Sequence, residues 1–147
     1  MEQLTLNITD KSRIRIIASS AYNFNIELVE KLGKDDSIQL IQLSKDLEEY
    51  FDNNFLLTEK NITKYFNKKT FPFLARLKGE IIGYIIGVPL EYFEQESWSR
   101  YDTNLNKNNT VYTYAFVIKK KYRRIGGYGK TLKKIYLNWN KKNGYIY

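Results

Sequence analysis

The stretch from Thr110 to Trp139 decides the fold, and it reads TVYTYAFVI (110–118), KKKYRRIGGYGK (119–130) and TLKKIYLNW (131–139). Its first block is rich in β-branched and aromatic residues, which is typical of a β-strand. From Tyr128 onward, apolar residues recur at a helical period and predict an amphipathic helix. These residues are Tyr128, Leu132, Ile135, Tyr136 and Trp139. A basic segment with Gly126, Gly127 and Gly129 connects the strand to the helix.

The glycine segment is suited to binding an anion. Backbone N–H groups at the start of a helix lack partners and carry partial positive charge. Glycine lets a phosphate approach those groups without a Cβ in the way. Arg123, Arg124 and Lys130 add full positive charges. We therefore expect a diphosphate ligand here, the alternative being an ordinary tight turn on a basic surface.

Three phosphate-loop patterns compete for this segment, and one of them fits. The end of a P-loop pattern is present at Gly129-Lys130-Thr131, but Arg124 occupies the position of its first glycine. A P-loop also needs a downstream acidic residue that binds magnesium, and no acidic residue follows Thr131. The dinucleotide pattern Gly-x-Gly-x-x-Gly fails because Leu132 occupies its last position. The pattern Arg/Gln-x-x-Gly-x-Gly/Ala is matched at every fixed position by RIGGYG (124–129).

This third match resembles the coenzyme A (CoA) loop of the GCN5-related N-acetyltransferase (GNAT) superfamily. The resemblance extends over 71–147 and includes the apolar hairpin FLARLKGEIIGYIIG (73–87). It implies one α/β (α+β) domain over 1–147, with a mixed, mainly antiparallel sheet flanked by helices. It also implies that acetyl-CoA is the cosubstrate. The implied cofactor-binding residues are Phe116, Val117, Ile118, Arg123, Arg124, Ile125, Gly126, Gly127, Tyr128, Gly129, Lys130 and Thr131.

The C-terminal part of the family pattern is missing from this sequence. Members of the family usually continue with another helix and two strands after a fifth strand. The segment Tyr145-Ile146-Tyr147 reads as the start of that strand. The resemblance therefore implies a C-terminally truncated fold. An exposed last strand would leave unpaired backbone groups, so we expect homo-oligomers to form through that edge.

The family reaction is the direct attack of an amine on the acetyl thioester. The resemblance therefore implies a small-molecule or peptide amine as the acceptor. In many relatives a glutamate on the strand before the loop is the general base, but this strand has no carboxylate. The catalytic candidates are Tyr112, Tyr114 and Glu91, and the sequence also offers Asp102 and Glu94 without a ground for choosing among the acids.

Composition excludes several other kinds of site. The chain has no cysteine and no histidine, so it cannot form disulfides, a Ser–His catalytic pair or a histidine-ligated metal site. No metal is expected. No apolar run approaches the ~20 residues of a membrane span, and the N-terminus lacks the features of a secretory signal. We therefore expect a cytoplasmic protein that does not bind membranes.

The net charge of +8 is concentrated at one end of the chain. Residues 119–147 carry ten Lys or Arg residues and no acidic ones, whereas the rest of the chain carries 14 basic and 16 acidic residues. Such a block attracts polyanions. The phosphates of CoA qualify, and so does nucleic acid. The alternative function is therefore a non-catalytic basic module that binds nucleic acid or CoA on a degenerate acetyltransferase scaffold, with tyrosines suited to stacking on single strands.

Weaker patterns organise the rest of the chain. They predict helices over 13–30, 38–51 and 59–66, strands over 4–8, 73–77 and 80–88, and a polar loop over 91–109. Thr58 is expected to cap the third helix, and Lys78-Gly79 to form the hairpin turn. Gly83 and Gly87 within a strand suggest a bulge or the close approach of a ligand.

Overall fold

The computed structural model describes residues 11–20, 23–46, 57–93, 101–123 and 126–147. In these ranges five strands form one antiparallel sheet, whose spatial order is the order of the chain. The strands are β1 (Arg13–Ser19), β2 (Phe24–Lys31), β3 (Phe71–Leu77), β4 (Glu80–Pro89) and β5 (Val111–Ile118). The helices are α1 (Lys34–Asp46), α2 (Ile62–Tyr65) and α3 (Tyr128–Lys142), with short 3-10 turns at Leu90–Phe93 and Lys120–Tyr122.

The hairpin of β3 and β4 is the centre of the sheet, and its prediction is confirmed. Lys78 and Gly79 both have positive φ angles, 51° and 86°. Two such residues in succession form the type I′ turn, whose twist matches that of the flanking strands. Every residue from Ile81 to Val88 is buried, because helices cover both faces of β4.

Each face of the sheet supports its own apolar cluster. On one face, Leu40 and Leu43 of α1 pack with residues that include Leu74 and Tyr84. On the other face, Leu132 and Tyr136 of α3 pack with a second set of residues. That set includes Phe73, Ile82 and Ile85. The two helices therefore fix the sheet between two layers, and α3 lies on the face opposite to α1.

The predicted helix over 13–30 is wrong, because this region forms the antiparallel pair β1 and β2. Phe24, Ile26 and Leu28 alternate along β2 and enter one cluster, which is the two-residue period of a strand. Asn23, with φ of 58°, turns the chain before β2. Pairing of β2 with β3 outweighs the weak helical spacing of the sequence.

The predicted helices over 38–51 and 59–66 exist, but each begins at a different residue from the one predicted. Helix α1 begins at Lys34, four residues earlier than predicted, so Asp35 and Asp36 lie in its first turn, where acidic side chains are favourable.

Helix α2 begins at Ile62, three residues later than predicted. In the turn before it the Thr58 hydroxyl accepts the Asn61 N–H at 3.2 Å and the Asn61 side-chain oxygen accepts the Thr58 N–H at 2.8 Å, a reciprocal pattern typical of a capped turn, although Asn61 and not Thr58 is the residue directly before the helix. The predicted strand over 4–8 and the predicted helix end beyond residue 46 lie outside the described residues.

The C-terminus of α3 is closed by a Schellman motif. Gly144 has φ of +92° and donates to Lys141 O, while Tyr145 donates to Asn140 O. Tyr147 then donates to Asn109 O and accepts from the N–H of Val111, at 3.2 and 3.1 Å. Those two bonds form a parallel bridge beside the start of β5. Association of two copies through this region stays a prediction.

A buried ion network joins α1 to the sheet. The Arg76 guanidinium on β3 contacts Glu27 of β2 at 3.0 Å and Asp36 of α1 at 2.9 Å. The Ser12 hydroxyl donates to Asp36 at 2.7 Å and accepts the Gly33 N–H. Burial raises the pKa of Glu27, and the opposing effect of Arg76 does not cancel it. Arg76 therefore pairs directly with both carboxylates of this network.

Replacing Arg76 with methionine should destabilise the protein by about 3–5 kcal/mol, because Glu27 and Asp36 would be left buried without a counter-charge. The free energy of unfolding in urea measures this effect. Arg15→Met is the matched control, because the Arg15–Glu30 pair is exposed and should contribute only about 0–1 kcal/mol. Equal unfolding free energies for the two variants would contradict the assigned role of Arg76.

Candidate active site

Among the described residues, most of the outer edge of β5 has no neighbouring strand. One side of β5 pairs with β4. On the other side, Val111 pairs with Tyr147, and from Tyr112 to Ile118 no strand in the described ranges lies alongside. An extended ligand with amide groups can add to such an edge as a further strand would.

A bulge interrupts β5 near the middle of this open edge. Ile86 of β4 pairs with Ala115, but Gly87 pairs with Thr113, so that Tyr114 is the extra residue. A bulge leaves one residue out of the hydrogen-bond ladder and bends the strand. The Tyr114 ring stacks on Tyr65 of α2, with ring centroids 4.0 Å apart.

Helix α3 begins without a cap, at the far end of β5. Gly126 and Gly127 have φ angles of +67° and +65°, and no side chain caps the first turn. The N–H of Thr131 donates to Gly127 O at 3.0 Å, and the N–H groups of the three residues before it lie in the turn that has no intrahelical acceptors. A Cβ placed on Gly127 would meet no atom of the described residues within 4 Å, so this position has room for a neighbouring group.

The first turn of α3 is held between β5 and β2. A Cβ on Gly129 would lie 3.1 Å from Cγ1 of Ile118, so glycine permits the close contact with β5. The Tyr128 ring packs against Phe24 of β2 at 4.9 Å and against Tyr122 at 5.8 Å. These contacts fix the helix start at the end of the open strand.

Some cations between Lys119 and Lys130 form hydrogen bonds or ion pairs with the sheet, and others are exposed. Arg123 donates from Nε to Ile118 O at 2.9 Å, and Lys119 pairs with Glu80 at 2.8 Å. Both therefore stabilise the end of β5. Lys130 is exposed on the first turn of α3. Arg124 and Ile125, although predicted as site residues, lie outside the described residues.

The other predicted cofactor-binding residues meet at one end of β5, with different exposures. Phe116 is 37% exposed and lies near Gly129. The Val117 side chain is buried in the cluster on the α1 face, so only its backbone could face a ligand. Ile118, Tyr128 and the other residues of the α3 start lie next to one another, as the loop pattern predicts.

The three predicted catalytic residues lie toward the opposite end of β5. Tyr112 is 43% exposed and packs edge-to-face on Phe93 at 5.4 Å. Burial raises the pKa of Tyr114, with a smaller contribution from its hydrogen bond to Tyr65. Glu91 accepts the Asn106 N–H on Oε2 at 2.8 Å and thereby braces the loop before β5.

Of the two further acidic candidates, only Asp102 lies within the described residues. Asp102 accepts the Asn104 N–H at 2.8 Å within its own turn. Glu94 lies outside the described residues. In the described ranges no three Asp or Glu side chains cluster as metal ligands would. No helix of those ranges is long and apolar enough to span a bilayer.

Contact with Tyr136 is the reason why Gly87 of β4 must be a glycine, a role of Tyr136 that was not predicted from the sequence. Its ring covers Gly87, where any Cβ would overlap the phenol, and its hydroxyl lies 3.1 Å from the Thr113 hydroxyl. Gly83 accommodates Ile118 in the same way and lies beside a bulge at Ile82. The predicted bulge is confirmed, and the close approach at both glycines is made by the chain's own residues. The sequence signal that could have indicated this packing is a glycine in an apolar strand together with a tyrosine on the apolar face of a helix.

No known family model matches the sequence, and no curated protein matches it significantly. Solved structures share its fold. The aminoglycoside acetyltransferase meta-AAC0020 from an uncultured soil metagenomic sample, solved with trehalose, is 22% identical with a TM-score of 0.56, over 85% of this chain and 74% of that one. The same enzyme has also been solved with sisomicin.

A GNAT family acetyltransferase of Staphylococcus aureus is 23% identical with a TM-score of 0.57, over 84% of this chain and 82% of that one. An integron cassette protein from the mobile metagenome of V. cholerae is 14% identical with a TM-score of 0.54, over 84% of this chain and 72% of that one. At these identities the likeness is one of fold. The chain has the acyl-CoA N-acyltransferase (GNAT) fold, as the sequence predicts.

The buried phenols should make the protein unstable in alkali. Burial raises the pKa of Tyr84 and of Tyr136 to about 12, whereas the ordinary pKa of a tyrosine is 10.0. The unfolded chain therefore releases these protons first. The stability they contribute is complete below pH 10 and is lost as the pH rises to about 12, with up to about 1.4 kcal/mol per pH unit from each phenol.

Tyr136→Phe should reduce the slope of unfolding free energy against pH in this window, because one titrating group is removed. Denaturant unfolding at a series of pH values measures the slope. Tyr101→Phe is the control, because the Tyr101 side chain is 89% exposed. An unchanged slope in Tyr136→Phe would show that the buried phenol does not govern the alkaline loss of stability.

Proposed function

We propose that this protein is an N-acetyltransferase that moves an acetyl group from acetyl-CoA to an amine acceptor. The observation that supports this most directly is the uncapped start of α3 at the end of the open edge of β5. The helix start is suited to a diphosphate, and the strand edge is suited to an extended chain that contains amides. Acetyl-CoA contains both groups.

The α3 start fits the diphosphate on charge and on space. The N–H groups of Tyr128, Gly129 and Lys130 lie in the first turn, where the helix dipole favours negative charge. The room at Gly127 lets phosphate oxygens come close to the backbone. Lys130 supplies a full charge from an exposed position.

The outer edge of β5 fits the pantetheine arm. The seven residues from Tyr112 to Ile118 give roughly 20 Å of strand at about 3.3 Å per residue. Their outward N–H and C=O groups would pair with the amides of the arm. The bulge at Tyr114 interrupts the pairing and provides a place where the thioester can lie against backbone donors.

The reaction needs an acid as well as an activated acyl group. Acetyl-CoA supplies the thioester, whose C–S bond breaks as the amine nitrogen bonds to the carbonyl carbon. The leaving thiolate must then be protonated. Burial raises the pKa of Tyr114, so its phenol stays neutral and can donate a hydrogen bond to the leaving sulfur, but it is a weaker acid than an ordinary tyrosine and the proton itself would come from solvent or from the attacking amine.

The acceptor end of the site carries aromatic and acidic groups. Phe93 and Tyr112 form an edge-to-face pair, and Glu91 lies in the adjacent 3-10 turn. Such surroundings favour a small-molecule or peptide amine over an acidic acceptor. The complex of the aminoglycoside acetyltransferase with sisomicin is an example of an amine-rich ligand on this fold.

The exposed lysines of α3 favour a second candidate, a basic module that binds nucleic acid. All five lysines of this helix are exposed, and none forms an ion pair within the described part of the chain. Phosphate groups of any polyanion would be attracted to such a surface. Electrostatics alone therefore does not distinguish CoA from nucleic acid as the ligand. A binding experiment is needed to distinguish them.

Gly127→Glu should weaken acetyl-CoA binding by about tenfold or more, because a carboxylate at the helix start would repel the diphosphate and occupy its space. Isothermal titration calorimetry measures the affinity. Gly127→Asn tests the backbone separately, because asparagine tolerates the left-handed conformation without adding charge. Lys133→Glu, an exposed position on the next turn, controls for the change in net charge.

Two results would decide between the candidates. Binding of acetyl-CoA by the parent, Gly127→Asn and Lys133→Glu proteins but not by Gly127→Glu, with release of free CoA on addition of an amine, supports the transferase. If the parent protein does not bind acetyl-CoA and binds single-stranded RNA with an affinity that falls steeply with salt, the transferase proposal is wrong.

A further inference from the structure

Lys64 places a primary amine of the chain itself near the acceptor end of the candidate site. It lies in α2, and its side chain is exposed. Its Nζ lies over the Tyr65 ring, 5.5 Å from the ring centroid. The Tyr65 ring stacks on Tyr114, with centroids 4.0 Å apart. A single aromatic ring therefore connects this amine to the residue that forms the bulge of β5.

A second contact joins Lys64 to the turn beside β5. The Tyr92 hydroxyl donates to Lys64 O at 3.1 Å, and Tyr92 belongs to the 3-10 turn that also contains Phe93. Tyr92, Phe93 and Tyr114 all pack against the apolar cluster on the α1 face of the sheet, and Tyr65 is a member of that cluster. Lys64 therefore lies on the face of the sheet where we place the acceptor.

The Lys64 amine is held in place by a weak contact. None of the ion pairs within the described part of the chain includes Lys64. A cation–π contact at an exposed site contributes little, and the lysine stem is flexible. The amine can therefore leave the Tyr65 ring, lose a proton to solvent and turn toward a thioester at the bulge.

Two other lysines near β5 are less well placed. Lys119 pairs with Glu80 at the far end of the strand. Lys141 and Thr113 line a cavity of about 210 Å³, but this cavity lies on the face of the sheet that α3 covers. The Tyr114 ring lies on the opposite face, against α2. Of these three amines, only that of Lys64 shares a face with the bulge residue and the proposed acceptor end.

We propose that Lys64 is an internal acceptor, so that the protein acetylates itself at this residue. The inference rests on the proposed use of acetyl-CoA. The neutral Nζ attacks the carbonyl carbon of the thioester, a C–N bond forms and the C–S bond breaks. The leaving thiolate takes a proton from solvent or from the attacking nitrogen. Overall, the lysine ammonium and acetyl-CoA give acetyl-lysine, CoA with a free thiol, and a proton released to solvent.

Peptide mass spectrometry measures this self-acetylation. The full chain is incubated with acetyl-CoA that carries a deuterated acetyl group, and the label on each lysine is followed over time. Lys60 and Lys68 are internal controls for unassisted acetylation, because both are exposed lysines close to α2 and neither has a cation–π contact within the described ranges. Gly127→Glu, which should weaken donor binding, tests whether the label comes from bound acetyl-CoA.

Lys64 should be labelled at least about tenfold faster than Lys60 and Lys68, because its amine is held close to the bound donor. Its rate constant should not change when the protein is diluted, since the transfer occurs within one molecule. In Gly127→Glu the labelling of Lys64 should fall to the level of the two controls.

Three results would overturn this inference: equal labelling of Lys60, Lys64 and Lys68, faster labelling of Lys141 than of Lys64, or a rate constant that rises in proportion to protein concentration. The proposed function would stand if the same protein transferred acetyl groups to an added amine. A parent protein that binds no acetyl-CoA would overturn the proposed function and, with it, this inference.

Discussion

The close packing of α3 on β4 and β5 is the constraint on which the site depends. It is possible because the strands and the helix have glycine at their contact points. Tyr136 of α3 lies over Gly87 of β4, and Gly129 of α3 lies against Ile118 of β5. A side chain at Gly87 or Gly129 would push the helix away from the sheet, since well-packed interiors do not absorb added volume without strain. The helix start would then no longer lie at the end of the open strand.

Among the described residues, the outer side of β5 has no strand beside it from Tyr112 to Ile118. Exposed edges promote unwanted pairing, and proteins usually cover or blunt them. Here the strand carries a bulge at Tyr114 and exposed aromatic residues such as Tyr112 and Phe116. The α1 face of the sheet is held by the Arg76 network, which links β2, β3 and α1 independently of β5. The use of this edge by an acyl donor is the part of the proposed function that depends on it.

Sequence reasoning succeeded where local signals determine the structure. The turn at Lys78-Gly79, the strand β5, the helix α3 and its glycine C-cap each have a short-range chemical signature, and all four are confirmed. The pair β1 and β2 was missed, because its identity depends on long-range pairing with β3 that no local pattern encodes. The α3 start, where we propose that a diphosphate binds, is contiguous in sequence, so its strand–turn–helix geometry could be predicted, whereas its ligand stays a prediction. The catalytic half is assembled by a bulge and a loop, and its candidates could only be named.

Proton transfer is the part of the proposed chemistry that the segment 110–139 does not itself provide. The chain has no histidine, and β5 has no carboxylate. Tyr114 can offer a hydrogen bond from its neutral phenol, but burial favours that neutral form and so makes it a poor proton donor as well as a poor base. Glu91 already uses one carboxylate oxygen to hold the loop before β5. The helix start and strand edge can therefore bind and orient an acyl donor on their own, whereas deprotonation of the acceptor amine has to depend on solvent or on residues beyond this segment.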